Sequence, residues 1–154
     1  TMGEIVKMAH IGISHASCVR RLNGIFNKLL SGKVIVDIQN PIDLNHEISR
    51  QPDLILLRWR EDYYAKKYPQ PKDIFLLIEI VDSIVKYDRE VKIPLYAKNR
   101  ISEVWLIDLN KELIEVYWNI VGTIYKKKEQ FFRGDRLIIQ AFDNMSLTVD
   151  RILG

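Results

Sequence analysis

The sequence predicts a mixed α/β fold: a central mixed sheet with a helix against each face and an antiparallel hairpin or meander appended. Three observations predict it. Ile74 to Val81, IFLLIEIV, is apolar at nearly every position, which suits a strand buried on both faces. Two stretches of helical spacing, His15 to Leu30 and Val85 to Asn99, stand on either side of the most apolar segments. Glu103 to Asp108 and Leu113 to Trp118 flank the turn-like Leu109-Asn110-Lys111-Glu112, the pattern of a hairpin. The 154 residues suffice for one domain with a real core and are few for two, so residues 1–154 are expected to form a single domain.

In chain order, Gly3 to Met8 reads as a short strand and His10 to Ser14 as a loop, with Ser14 placed to cap a helix. Ala16, Val19, Leu22, Ile25, Phe26 and Leu29 then form the apolar stripe of that helix, and Ser31-Gly32 ends it. Lys33 to Ile38 alternates as a strand. Asn40-Pro41 interrupts it, and Ile42 to Arg50 is a polar connection with short extended pieces. Pro52 to Leu57 is a second apolar strand, with proline tolerated at its start. Glu61 to Asp73, holding Tyr63, Tyr64 and Tyr68 beside Lys66 and Lys67, reads as a loop or short helix, since Pro69 and Pro71 prevent a long one. In the second helix Pro94 demands a bend or a register adjustment. Thr123 to Lys128 continues the meander, Phe131 to Ile139 holds a Gly134-Asp135 turn, and Ser146 to Val149 is a last short strand or helix cap.

The net charge of +3 permits a nucleic-acid partner without demanding one. The single cysteine, Cys18, excludes an internal disulfide and fits a cytoplasmic location. No apolar run approaches the roughly 18 residues of a membrane span, and TMGEIVKMAH lacks the layout of a signal peptide. No spacing of the histidines with Cys18 suggests zinc.

The chemistry concentrates in three residues. Asp53 stands at the start of one apolar strand and Glu79 near the end of another. A carboxylate buried in such a run is costly unless it is paired, protonated or bound to a metal. Asp88, Lys92 and Tyr96 fall at i, i+4 and i+8, which puts an acid, a base and a phenol on one helical stripe. Two carboxylates on neighbouring strands could share Mg2+ or Mn2+, and an adjacent lysine could orient a water or stabilise a pentavalent phosphate. Together these suit metal-assisted hydrolysis of a phosphodiester.

These residues carry a resemblance. Pro52-Asp53, then Glu79-Ile80-Val81, then Asp88, Lys92 and Tyr96, then EVWLID over Glu103 to Asp108, in that order, resemble the family of putative restriction endonucleases, a branch of the PD-(D/E)XK nuclease superfamily. GEIVKM followed by a helix near His15, and Gln39-Asn40-Pro41-Ile42 ahead of Pro52, also resemble that family, so the likeness covers nearly the whole chain. It implies a restriction-endonuclease-like core and a DNA endonuclease. It implies Asp53 and Glu79 as ligands of Mg2+ or Mn2+ and Lys92 as catalytic base or electrostatic stabiliser. Asp88 and Tyr96, with His15 nearby, would hold the site's residues in place. The superfamily carries a lysine two residues after the glutamate; Val81 stands there, and the lysine of this branch lies on the following helix. A DNA substrate and a homodimer are the partners implied. Two departures accompany the likeness. Family members usually start with a longer segment bearing an acidic residue before the GEIV-like strand, which Glu4 does not replace, so the extreme N-terminal segment is expected to be lacking. Asp82-Ser83-Ile84-Val85 stands where a Ser-Pro-Ser-like stretch is common.

Plainer readings stand beside these. Glu79 and Lys92 alone make a structural ion pair, Asp53 a turn residue, and His15 a helix-start residue satisfied by its own backbone. Lys126, Lys127 and Lys128 form either a phosphate-binding edge or a solvated hairpin face. Tyr63, Tyr64 and Tyr68 either stack on bases or pack among themselves. Trp59, Trp105 and Trp118 default to core or interface packing. The alternatives to an enzyme are a catalytically impaired nuclease-fold module that binds nucleic acid or protein, and a degenerate copy that only folds and dimerises.

Overall fold

The computed structural model describes residues 12–45, 47–48, 51–83 and 86–154. The expected strand at Gly3 to Met8, with Glu4 and His10, lies outside the described residues, as do His46 and Val85.

A six-stranded sheet organises the molecule. Its members are β1 (Val34–Ile38), β4 (Leu54–Arg58), β5 (Ile74–Val81), β6 (Glu103–Asp108), β7 (Leu113–Val121) and β8 (Ile124–Phe132). They run in the order β1-β4-β5-β6-β7-β8. Only β5 and β6 pair in parallel; every other neighbour is antiparallel. A parallel pair needs a crossover, and the helical segment after β5 supplies it. Two small ribbons are added, β2 (Asp43–Leu44) with β3 (Glu47–Ile48), and β9 (Arg136–Ile139) with β10 (Phe142–Thr148).

The sheet has a core on each face, which is why β5 is apolar almost throughout. Alternate residues Leu76, Ile78 and Ile80 pack with Leu54, Leu56, Trp105 and Ile107 under helix α1 (Ile13–Leu29). The β9–β10 ribbon and the terminal helix α3 (Val149–Leu153) close that side through Leu137, Leu147 and Ile152. Leu77 and Val81 face the other way, where Ile55, Leu57, Leu106 and Tyr117 meet Ile93 and Tyr96 of helix α2 (Ile93–Lys98). The mixed sheet with a helix on each face is therefore as the sequence reads.

Four details differ. Helix α1 is capped by Gly12, not Ser14. A Cβ at Gly12 would meet the Asp82 carboxylate, so the chain enters the helix two residues early, where a residue without a side chain passes Asp82. The second helix is not a uniform α-helix. Lys86 and Tyr87 are α-helical, Asp88–Lys92 form a π-helical turn in which the Ile93 amide donates to the Asp88 carbonyl, and α2 carries the helix on as Pro94 enters. Proline has no N–H for an i→i−4 bond, and the widened turn ahead of it is the register adjustment its presence demands. Strand β7 runs on to Val121, past the expected end at Trp118, whereas at Ser146 to Val149 the expected strand end and helix cap are both present, with Thr148 accepting from the Arg151 amide. Trp105 is fully buried, whereas Trp59 is 46% exposed and belongs to no core.

Candidate active site

Strand register brings the two carboxylates together. Leu54 pairs with Ile78 across β4 and β5, so the next step sets Asp53 opposite Glu79, on the same face of the sheet. The two residues are also stitched directly. The Asp53 amide donates to Glu79 Oε1 at 3.3 Å, and the Ile80 amide donates to Asp53 Oδ2 at 2.8 Å. Glu79 is almost fully buried, 2% exposed, among Leu77, Val81 and Leu106.

The crossover lays its π-helical turn over this pair. Lys92 Nζ donates to Glu79 Oε2 at 2.5 Å and contacts Asp88 Oδ1 at 3.0 Å. Tyr96, one turn on, is buried beneath them and makes no hydrogen bond to Lys92 among the described residues. From the other side of the sheet's end, His15 in the first turn of α1 brings Nε2 to 3.1 Å from Asp53 Oδ1. Its Nδ1 is buried without a hydrogen-bond partner among the described residues. His15 is thus engaged with Asp53, and not with its own backbone as the plainer reading has it.

The electrostatics follow from burial. Loss of solvent pushes the Glu79 carboxyl up to about 7, against the pull of the Lys92 ammonium, with Asp53 adding repulsion. Burial pulls Lys92 down, but Glu79 and Asp88 override it and the ammonium is held above its ordinary value. The hydrogen bond to Asp53 raises His15 despite partial burial. Burial, with Glu79 and Asp88 nearby, drives the Tyr96 phenol far up, so it stays neutral. The arrangement sets a mainly oxygen-donor floor under Lys92 and His15.

The chain as a sequence is matched by one family model over residues 2–150, described as "Uma2: Putative restriction endonuclease". The chain belongs to that family. Among solved structures, the chain resembles a "putative nuclease belonging to DUF820" from Anabaena variabilis, with TM-score 0.73 and 16% identity, over 93% of this chain and 82% of that one. It also resembles the type IIG restriction endonuclease BpuSI, with TM-score 0.52 and 14% identity, over 90% of this chain and 15% of that much longer one. At these identities the likeness is one of fold, and it is a nuclease fold. No curated protein matches the sequence.

Of the residues singled out from the sequence, Asp53, Glu79, Lys92, Asp88, Tyr96 and His15 are gathered in one place. The lysines of β8 are not. Lys128 lies 3.6 Å from the buried Glu115 and over the Tyr117 ring, while Lys126 and Lys127 are exposed along the edge strand. Sequence reasoning missed Glu115 itself. It faces the same side of the sheet as Glu79, with Leu106 between them in register. Glu115 Oε1 accepts from Arg89 Nε and from the Tyr117 hydroxyl, each at 3.0 Å, and Oε2 accepts from Gln130 at 3.0 Å. Arg89 neighbours Asp88, so Glu115 anchors the turn that carries Lys92. A carboxylate inside the apolar run LIEVYW was the available signal, the same one that marks Glu79. It also marks Glu103, which is buried on the opposite face and accepts from Trp105 Nε1 and the Gln140 amide.

Proposed function

We propose that this protein hydrolyses DNA phosphodiester bonds, with Asp53 and Glu79 as ligands of a divalent cation, Mg2+ or Mn2+, and Lys92 acting on the reacting phosphate. The observation that carries the reading is the meeting of Asp53, Glu79 and Lys92 on one face of the sheet. The donor set fits such an ion. Two carboxylates supply hard oxygen ligands that keep lone pairs beyond their hydrogen bonds, and water completes the shell of an ion of this type. Mg2+ and Mn2+ are ions that take one or two carboxylates and keep several waters. The chemistry a cation supplies there is a lowered pKa for its water and relief of charge on a phosphoryl oxygen.

The protein's own residues do the rest. His15 and the Ile80 amide fix both oxygens of Asp53. Asp88 holds the Lys92 ammonium against Glu79. Because its partners raise Lys92, it is protonated at neutral pH, and that favours electrostatic stabilisation of the phosphate over proton abstraction. Exposed Lys126 and Lys127 on β8 would meet the phosphate backbone. A homodimer would deliver two cuts to duplex DNA by two-fold symmetry. The buried free thiol of Cys18 fits work in the cytoplasm.

Plasmid cleavage with Mn2+ and then Mg2+ tests the reading, beside Glu79→Ala and Lys92→Ala proteins purified identically. The parent is expected to cut and both variants to lose cutting by at least about a hundredfold. Cutting that survives both substitutions would remove the site. A folded parent that cuts with neither metal would leave a nuclease-fold binding module.

A further inference from the structure

A second concavity lies on the same face as the Asp53–Glu79 site. A cavity of about 630 Å³ opens between β1 and the segment after β4. Its floor includes Ile35 and Leu57, which pack into the same core as Leu77 and Tyr96. Asp37 lines it too, paired with Ile55, two residues along β4 from Asp53 and so about 7 Å from it. The β1–β4 pairing runs on to that end of the strand, where the Gln39 amide donates to the Asp53 carbonyl at 3.3 Å. Asp37 and the carboxylate pair thus sit on one face of the sheet, a diagonal strand step apart.

The walls are aromatic and the rim is basic. Tyr63, Tyr64 and Tyr68 line the cavity with Lys66 and Lys67. Tyr68 is 49% exposed, and Tyr63 is 64% exposed although its ring meets Trp59 edge to face at 5.4 Å, so both leave ring surface open to a ligand. Tyr63 is presented at a conformational cost. It and Tyr64 occupy consecutive left-handed positions, φ 52° and 57°, where a bulky residue is strained. Local bonds hold the turn. The Asp62 carbonyl accepts from the Ala65 amide at 3.0 Å, Asp62 Oδ1 accepts from the Tyr64 amide at 3.2 Å, and the Tyr64 hydroxyl donates to the Arg58 carbonyl at 2.7 Å. Two glycines would make this turn without strain, and the tyrosines instead set a ring beside the cavity mouth.

We propose that this cavity receives an unstacked nucleobase of the nucleotide next to the phosphodiester held at Asp53 and Glu79. The inference rests on the nuclease reading and names the part of the substrate that this surface recognises. The chemistry selects a base over a phosphate. Asp37 on the floor, with Asn40 Nδ2 bonded to its Oδ1 at 2.5 Å, repels an anion and accepts from a base N–H or amino group. Tyrosine faces stack on any base, and Lys66 and Lys67 at the rim follow the flanking backbone. A cavity of this volume falls within the range of small-molecule sites.

Fluorescence anisotropy of a labelled single-stranded DNA dodecamer, in EDTA so that no hydrolysis intervenes, tests the pocket independently of cleavage. Tyr63→Gly and Tyr68→Ala are expected to weaken binding about tenfold to a hundredfold, and Tyr63→Phe to retain it. Tyr63→Gly relieves the left-handed strain but gives up the Trp59 ring contact and frees the unfolded chain, so thermal melts accompany its binding curve, and Tyr68→Ala, outside the strained turn, tests the pocket without either effect. Unchanged binding by Tyr63→Gly and Tyr68→Ala, or no single-strand binding by the parent, would overturn the pocket, even if plasmid cutting depended on Glu79. Tyr63-dependent binding without any plasmid cutting would keep the pocket and sink the nuclease reading instead.

Discussion

Replacing Lys92 by Met removes the ammonium from Glu79 while keeping most of the side-chain volume, and the consequence depends on pH in a calculable way. In the parent, burial sets the Glu79 carboxyl at about 7 against an ordinary 4.5. The protonated folded form is therefore favoured below about 4.5, and that stabilisation is lost as pH rises to about 7. Above about 7 folded and unfolded chains both carry the carboxylate, and the dependence ends. Without Lys92 the buried carboxylate has lost its cation, and the folded pKa climbs further. The variant goes on losing about 1.4 kcal/mol per pH unit where the parent is flat. Between about pH 6 and about pH 8.5 the gap should widen by about 2 kcal/mol, on top of a constant loss from the Asp88 contact. Urea unfolding in EDTA, followed by fluorescence of the buried Trp105, measures it. A gap that stays constant across that range would refute the argument and mean that Lys92 does not govern Glu79.

Two further substitutions test the buried acids outside the pair. Burial pushes Glu103 up to about 7 although two N–H groups donate to it, so it too favours the fold at low pH and ceases to do so as pH rises to about 7. Glu103→Gln should cancel a pH-dependent loss of up to about 3 kcal/mol; urea midpoints at about pH 5 and about pH 8 will detect it, and an unaltered slope would count against it. For Glu115 burial raises the carboxyl, but hydrogen bonds from Arg89 and Gln130 and the charge of Lys128 outweigh it, so its value is depressed. That stabilisation is present above about 4.5 and fades as pH falls. Arg89→Leu should cost about 1–3 kcal/mol at neutral pH and shift acid unfolding to higher pH, and an acid titration followed by circular dichroism with no shift would contradict it.

The sequence by itself determined the layers and the residue types that meet at the candidate site. An apolar run such as IFLLIEIV can be stable only between two cores, and a glutamate within it has to be satisfied by a cation, a proton or a metal. Helical spacing similarly put Asp88 and Lys92 side by side before any tertiary contact was known. The tertiary structure alone decided which acids meet. Asp53 and Glu79 face each other because β4 pairs antiparallel with β5 in one register, and a slip of one residue would send them to opposite faces. The same applies to Glu115. LIEVYW marks it as unusual, but Arg89, Gln130 and Lys128 are separated from it by 13 to 26 residues and converge only through the crossover and the β7–β8 pairing. The helix start at Gly12 was hidden for a related reason, because a nearby serine is a good local cap while the deciding contact, with Asp82, is 70 residues away. Periodicity and burial are written locally along a chain, whereas cross-strand register and long-range polar pairing are properties of the packed sheet.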